Sequence, residues 1–208
     1  MDIQFYGANC VVLSTKQTRI VVDDNLAELG AKPVTKAGDV VLFSAVHGAP
    51  ALQPKILIDQ PGEYEVQGIS IYGIPARGHM DEADQKTATM YKVIYDDISV
   101  LIVGHVFPEL NDTQLETIGM IDVMLVPVGG SGYTLDATGA LSLIKKIEPK
   151  LVIPTHYNDN ALKFPVPQNE LADALKSLAM EPKETIAKLR LKPTDLADST
   201  QLLILEKS

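Results

Sequence analysis

Three apolar runs in the second half of the chain, ISVLIV (98–103), IDVMLVPV (121–128) and KLVIPT (150–155), constrain the fold more than any other feature. Rich in Val, Ile and Leu and too short for helices, they read as buried strands. Two helical segments lie between them. NDTQLETIG (111–119) opens with Asn111 and Gln114, a capping pair. In TLDATGALSLIKKIE (134–148), Ala137, Leu141, Ile144 and Ile147 recur at helical spacing, which predicts one face packed on a sheet. This is an α/β pattern, and such folds place their sites at strand ends. The three runs stop at Gly104-His105, at Gly129-Gly130-Ser131-Gly132-Tyr133 and at His156-Tyr157.

The N-terminal part predicts a meander of short strands at 3–7, 10–14 and 19–24, turned at Ala8-Asn9 and at 16–18. Asp23 and Asp24 close the third strand and suit turn and capping duty better than metal binding. Residues 25–39 read as a loop, and DVVLFSA (39–45) as a strand running into His47. Residues 55–79 predict a strand, a turn at Gln60-Pro61-Gly62, and a second strand leading through Ile74-Pro75 to His79. A surface loop (80–87), a half-buried strand (87–97) and a hairpin turn at Asp96-Asp97 follow. The tail predicts an amphipathic helix over 167–180 and closing strands at 188–193 and 201–207.

At 208 residues, 46% hydrophobic and 22% charged, the chain suffices for one sizeable core, so one domain over 1–208 is expected. The net charge of -9, with no basic cluster beyond Lys145-Lys146, argues against a nucleic-acid partner. No secretory leader or long apolar span is legible, which predicts a cytoplasmic chain without a membrane partner. Cys10 is the only cysteine and sits in the apolar run CVVL, so a core role is expected.

All four histidines, His47, His79, His105 and His156, follow the end of a predicted strand. One such histidine is ordinarily a hydrogen-bonded loop residue. Four in the same context suit a metal site assembled by tertiary structure, because neutral imidazole is the commonest ligand for zinc-like ions.

The opening IQFYGANCVVL with RIVVDD, the block DQPGEYEVQGISIYGIP, the segment VGHVFPELNDTQLETIGMIDVMLVPVGG, then YTLDA and KIEPKLVIPTHY, together resemble the metallo-β-lactamase-fold Zn-dependent hydrolases. The branch they look most like is that of the ascorbate-6-phosphate lactonase. The resemblance spans almost the whole chain. It implies a four-layer αββα sandwich, with two similar halves dividing near residue 90 and a metal site at the sheet rim.

The departures from that family are equally specific. Its H-x-H-x-D-H signature corresponds to Ala45-Val46-His47-Gly48-Ala49-Pro50, where only the second histidine survives. His79 is the counterpart of a later ligand histidine, and the closing histidine is intact as His156. Gly104-His105 stands where the family carries Gly-Asp with a bridging carboxylate, and Gly7-Ala8 where it carries Gly-His. The resemblance therefore implies no normal two-metal site. It leaves room for at most one zinc or other transition-metal ion on His47, His79 and His105, with His156 beside them, or for none.

Besides a purely structural or interaction module in which the histidines are incidental, two functional readings follow. One is a metal-dependent hydrolase with a rearranged, at most mononuclear histidine site, acting on a small-molecule substrate near Gly129, Gly130, Ser131 and Tyr133. The other is a non-catalytic relative whose rim pocket binds a ligand or partner without metal. The glycine loop does not separate them, since its N–H groups suit an anion beside a helix starting near Thr134 but such loops also simply turn. Oligomeric state is left open.

Overall fold

The computed structural model describes residues 1–45 and 50–208. Among the described residues fourteen strands run in chain order: β1 (Asp2–Gly7), β2 (Cys10–Ser14), β3 (Arg19–Val22), β4 (Val40–Leu42), β5 (Ile56–Ile58), β6 (Gly62–Val66), β7 (Ile69–Ala76), β8 (Ala88–Tyr95), β9 (Ile98–Ile102), β10 (Val123–Pro127), β11 (Leu151–Thr155), β12 (Pro182–Ile186), β13 (Leu189–Arg190) and β14 (Gln201–Leu205). Helices α1 (Asp112–Ile118), α2 (Ala137–Ile147) and α3 (Leu171–Leu178) complete the regular elements used below. One sheet has the order β13-β1-β2-β3-β4-β5 and the other β12-β14-β11-β10-β9-β8-β7-β6.

Strand alternation divides the core into layers. On β9, Val100 and Ile102 enter the cluster between the sheets, while Leu101 and Val103 beyond it enter the cluster under the helices. β10 and β11 repeat the pattern, with Val123, Leu125, Leu151 and Ile153 inward and Met124, Val126 and Val152 outward. A strand buried on both faces has no polar side to alternate with, so the apolar runs are continuous. Each fully buried aliphatic side chain contributes about 1.5–3 kcal/mol, and a score of them in two layers holds these sheets together. Tyr91 crosses the central layer, its hydroxyl donating to the carbonyls of Phe43 and Ile58 at 3.1 Å each.

Helices α1 and α2 pack on the second sheet, and α3 packs on α2. α1 carries the Asn111–Gln114 capping box, and the Gln114 amide also donates to Pro75 O at 2.8 Å, tying the helix to β7. The outer face of the first sheet is covered differently. Cys10, Val12, Val21 and Val41 pack there against Leu26, Leu29 and Leu162, which sit in turns rather than in regular helix. The loop over the sheet is held by Asp24, whose Oδ2 accepts from Val34 N, Thr35 N and Thr35 Oγ1 at 2.6–2.8 Å. Cys10 is fully buried, and burial together with Asp24 and Asp23 raises its thiol pKa, which fits a core residue.

The structure differs from the sequence expectation in three places. Residues 62–76 form a hairpin of two strands, β6 and β7, where one was expected, because Gln67 and Gly68 both adopt positive φ and turn the chain. α2 starts at Ala137 rather than Thr134, and its most deeply buried side chains are Ala140 and Leu143, with Leu141 only partly covered. β12, with the mostly polar sequence PKETI, is an exposed edge strand that carries no apolar signal. No helix among the described residues is long and apolar enough to cross a membrane.

Candidate active site

Parallel strands place their chemistry at one rim. β9, β10 and β11 pair in parallel, so the segments beginning at Val103, Val128 and His156 emerge side by side. β7 runs parallel to β9 through the antiparallel β8, which brings His79 to the same rim. The first sheet reaches it too, since Thr89 N at the start of β8 donates to Ser44 O at 2.8 Å. His79, His105, His156 and the glycine loop thus share this rim. His47 falls at 46–49, outside the described residues.

Two tight backbone features set the histidines in place. Gly104 has φ +68°, and a Cβ there would stand 2.3 Å from Ser44 Oγ, so only glycine lets the chain pass before His105. His156 has φ +50°, Ala8 has φ +49°, and His156 N donates to Ala8 O at 2.7 Å. Left-handed backbone costs a non-glycine residue roughly 1–2 kcal/mol, and two such residues joined by one hydrogen bond mark this rim as a place of stored strain.

The rings of His105 and His156 meet edge to face, with centroids 4.9 Å apart at 85°. Tyr133 lies 5.2 Å from His105 and 5.8 Å from His156, and Phe164 covers His156 at 5.2 Å. Both imidazoles are buried and both are engaged by amides. Asn9 Nδ2 contacts His105 Nδ1 at 3.2 Å while Asn9 Oδ1 accepts from Thr155 Oγ1 at 2.8 Å. Gln168 Oε1 contacts His156 Nδ1 at 3.1 Å, and Gln168 Nε2 donates to Val166 O at 3.0 Å. Burial pushes the Tyr133 phenol pKa up, with the Glu28 and Asp23 carboxylates adding to it, so the phenol is protonated at neutral pH and can donate.

His79 sits slightly apart. Its backbone N–H donates to His105 O at 2.8 Å, and its ring lies 6.0 Å from Phe107, whose other neighbour is the Arg77 guanidinium at 3.9 Å. His79, His105, Tyr133, Ala45, Met80 and Asp81 are among the residues around a cavity of about 190 Å³. A wider groove of about 520 Å³ continues from His79 past Phe107, Ser131 and Thr138 to Lys146.

The glycine loop serves its own turn more than an anion. Gly130 N donates to Leu135 O, and Tyr133 N and Thr134 N donate to Gly130 O. The start of α2 is already capped by the Asp136 carboxylate, which accepts from Gly139 N at 2.7 Å, so an anion there meets a like charge. Gly129 O accepts from Asn169 N at 2.8 Å, and the Ser131 hydroxyl donates to Pro167 O, fastening the loop to the segment that carries Gln168.

A metal ion needs ligands from several of these groups. Among the described residues no set of three or more His, Cys, Asp or Glu side chains is arranged to hold one. His105 and His156 are the neighbouring pair, and no carboxylate among the described residues completes them. The described residues alone therefore do not fit the metal centre that the resemblance implies. Asn9 and Gln168, which dress the two imidazoles, were not legible as site residues. Asn9 reads as a turn residue and Gln168 as the start of a helix, and their partners lie 96 and 12 positions away.

The comparisons agree with this architecture. The family model described as Beta-lactamase superfamily domain matches residues 2–156. A UPF0173 metal-dependent hydrolase of Thermoplasma volcanium is 30% identical over 169 residues, covering 71% of this chain and 73% of that protein. A UPF0173 metal-dependent hydrolase of Pyrococcus horikoshii is 30% identical over 101 residues, 47% of this chain and 44% of the relative, so that alignment spans less than half of its length. Among solved structures, one from Thermotoga maritima described as a candidate Zn-dependent hydrolase of the metallo-β-lactamase superfamily superposes with a TM-score of 0.76 at 26% identity, over 99% of this chain and 98% of that one. A second, from Parabacteroides distasonis, shares the fold with a TM-score of 0.65 at 17% identity, over 98% and 93% of the two chains. With the family model running from the first strand to His156 and the sheets stacked as in these relatives, the chain belongs to the beta-lactamase superfamily.

Proposed function

We propose that this chain is a metal-dependent hydrolase of small molecules, with a rearranged rim site that holds at most one metal ion. The observation that carries the reading is the meeting of His105, His156 and Tyr133 where parallel strands of the superfamily fold end. The relatives' designation as metal-dependent hydrolases supports it over a binding module without metal. The limit of one ion follows from chemistry. Where the superfamily bridges two metals with an aspartate, this chain has His105, and Ala49 and Pro50 replace two further signature ligands. Zinc suits an imidazole-rich set, with His47 and His79 as the further candidate ligands.

The chain's own residues suggest the substrate class. The protonated Tyr133 phenol beside His105 offers a hydrogen bond to an oxygen, and the groove toward Ser131, Thr138 and Lys146 is lined with hydroxyls and a cation. The groove also carries the Glu109 and Asp136 carboxylates, so a small uncharged ester or lactone fits this lining better than an anionic phosphoester. A panel of such substrates, assayed with zinc, manganese and iron, tests the reading. Hydrolysis lost in His156→Ala but retained in Ser177→Ala, on the exposed side of α3, is expected. Equal rates in wild type and His156→Ala would refute it.

A further inference from the structure

The outermost strand of a sheet turns a row of N–H and C=O groups toward whatever lies beside it, and a second strand can pair with them. The first sheet ends at β5, whose strand neighbour among the described residues is β4, in parallel register. Ile56 N donates to Asp39 O and Phe43 N donates to Ile58 O, so Ile56 and Ile58 commit their backbone groups to the β4 side. Backbone groups alternate in direction along a strand, and those of Leu57 therefore face away from β4. The Leu57 side chain lies on the same sheet face as Val41, its partner in register, and is 41% exposed.

The sequence at this edge is complementary to itself. A second copy laid antiparallel with Leu57 opposite Leu57 sets Ile56 opposite Ile58 and Lys55 opposite Asp59. Lys55 and Asp59 are exposed, and neither joins an ion pair among the described residues. Residues two apart share a face, so a Lys55–Asp59 pair would flank the two leucines on each side of the axis. Ile58 belongs to the core between the sheets and Ile56 packs against it, so their meeting would continue that apolar layer across the axis. Pro54 and Pro61 bound the stretch, because proline has no N–H to carry the pairing further. β6, an edge of the second sheet, lacks this complementarity, since an axis at Tyr64 would set Glu63 against Glu65.

We propose that the chain associates with a second copy of itself through β5, about a two-fold axis at Leu57, joining two six-stranded sheets into one. At the axis each Leu57 N–H donates to the other copy's Leu57 carbonyl. The paired edge is short, so the dimer is a weak one that forms at high protein concentration. The inference depends on neither metal content nor hydrolysis.

Sedimentation velocity over a concentration series reaching the millimolar range reads the association directly. Wild type should shift from monomer to dimer. Lys55→Glu sets two carboxylates against each other at both ends of the pairing, and Asp59→Lys sets two cations there. Each should raise the dimer Kd about tenfold or more. An equimolar mixture of the two variants restores opposite charges at both ends and should associate about as well as wild type, as should the double variant Lys55→Glu/Asp59→Lys. Recovery in the mixture also shows that each single variant is folded. A wild type that stays monomeric throughout the series, or a dimer as stable in both single variants as in wild type, overturns the proposal.

Discussion

Gly129 and Gln168 share a space that only one side chain can fill. A Cβ on Gly129 would stand 2.1 Å from Gln168 Oε1 and 2.1 Å from the His156 carbonyl oxygen. The second contact is with backbone, so the clash cannot be relieved by a rotamer change alone. Gly129→Ala should destabilise the fold by about 1–3 kcal/mol through overpacking. At Gly132 a Cβ would meet nothing within 4 Å, but φ is +69°, so Gly132→Ala should lose only the roughly 1–2 kcal/mol of left-handed strain and leave His156 undisturbed. Urea midpoints at constant slope compare the two, and the NMR signals of His156 should shift only in Gly129→Ala.

Gly104→Ala should be the more damaging substitution at this rim. The new carbon would meet Ser44 Oγ at 2.3 Å and Ser44 Cβ at 2.5 Å, on a backbone with φ +68°. Ser44 cannot step aside easily, because its N–H and hydroxyl both donate to the buried Asp23 carboxylate, at 2.7 and 2.5 Å. Overpacking of about 1–3 kcal/mol adds to roughly 1–2 kcal/mol of backbone strain. Ser44→Gly in the same chain should recover the overpacking part, a coupling that a double-mutant cycle measures.

Metal content gives a count. Protein purified without a histidine tag or chelator should hold at most one equivalent of a tightly bound transition metal by elemental analysis, and His156→Ala should lose it. Two equivalents per wild-type chain would contradict the reading of the site.

Asp122 makes stability depend on acid pH. Burial pulls its pKa up, but donors from Ser99 N, Ser99 Oγ and Lys150 at 2.9–3.0 Å outweigh this and hold it below the usual carboxylate value. A depressed folded pKa stabilises the protein fully above the unfolded value, about 3.9, and the contribution is lost as pH falls through the folded one. Asp122→Asn should therefore be less stable than wild type at neutral pH, with the gap closing below about pH 4. Unfolding in urea at pH 7 and pH 3 checks the sign.

Much of the scaffold was legible because its signals are local. The continuous apolar runs at 98–103, 121–128 and 150–155 became β9, β10 and β11, and Asn111 with Gln114 became a capping box, since covering both faces or ending a helix asks for particular residues within a few positions. The hairpin β6–β7 was missed where two successive positive-φ residues, Gln67 and Gly68, lack a strong turn signature, and β12 where the strand is exposed.

The site divides along the same line. Sequence by itself determined which residues end the strands, with Ala49 and His105 among the residues that follow them. Only the tertiary structure decided that His105 meets His156 and Tyr133, and that Asn9 and Gln168 dress the two rings. The physical reason is range: the Asn9 contacts to His105 and Thr155 join positions 96 and 146 residues apart. A side-chain hydrogen bond depends on fractions of an ångström between strands from different sheets, and no spacing along the chain encodes that.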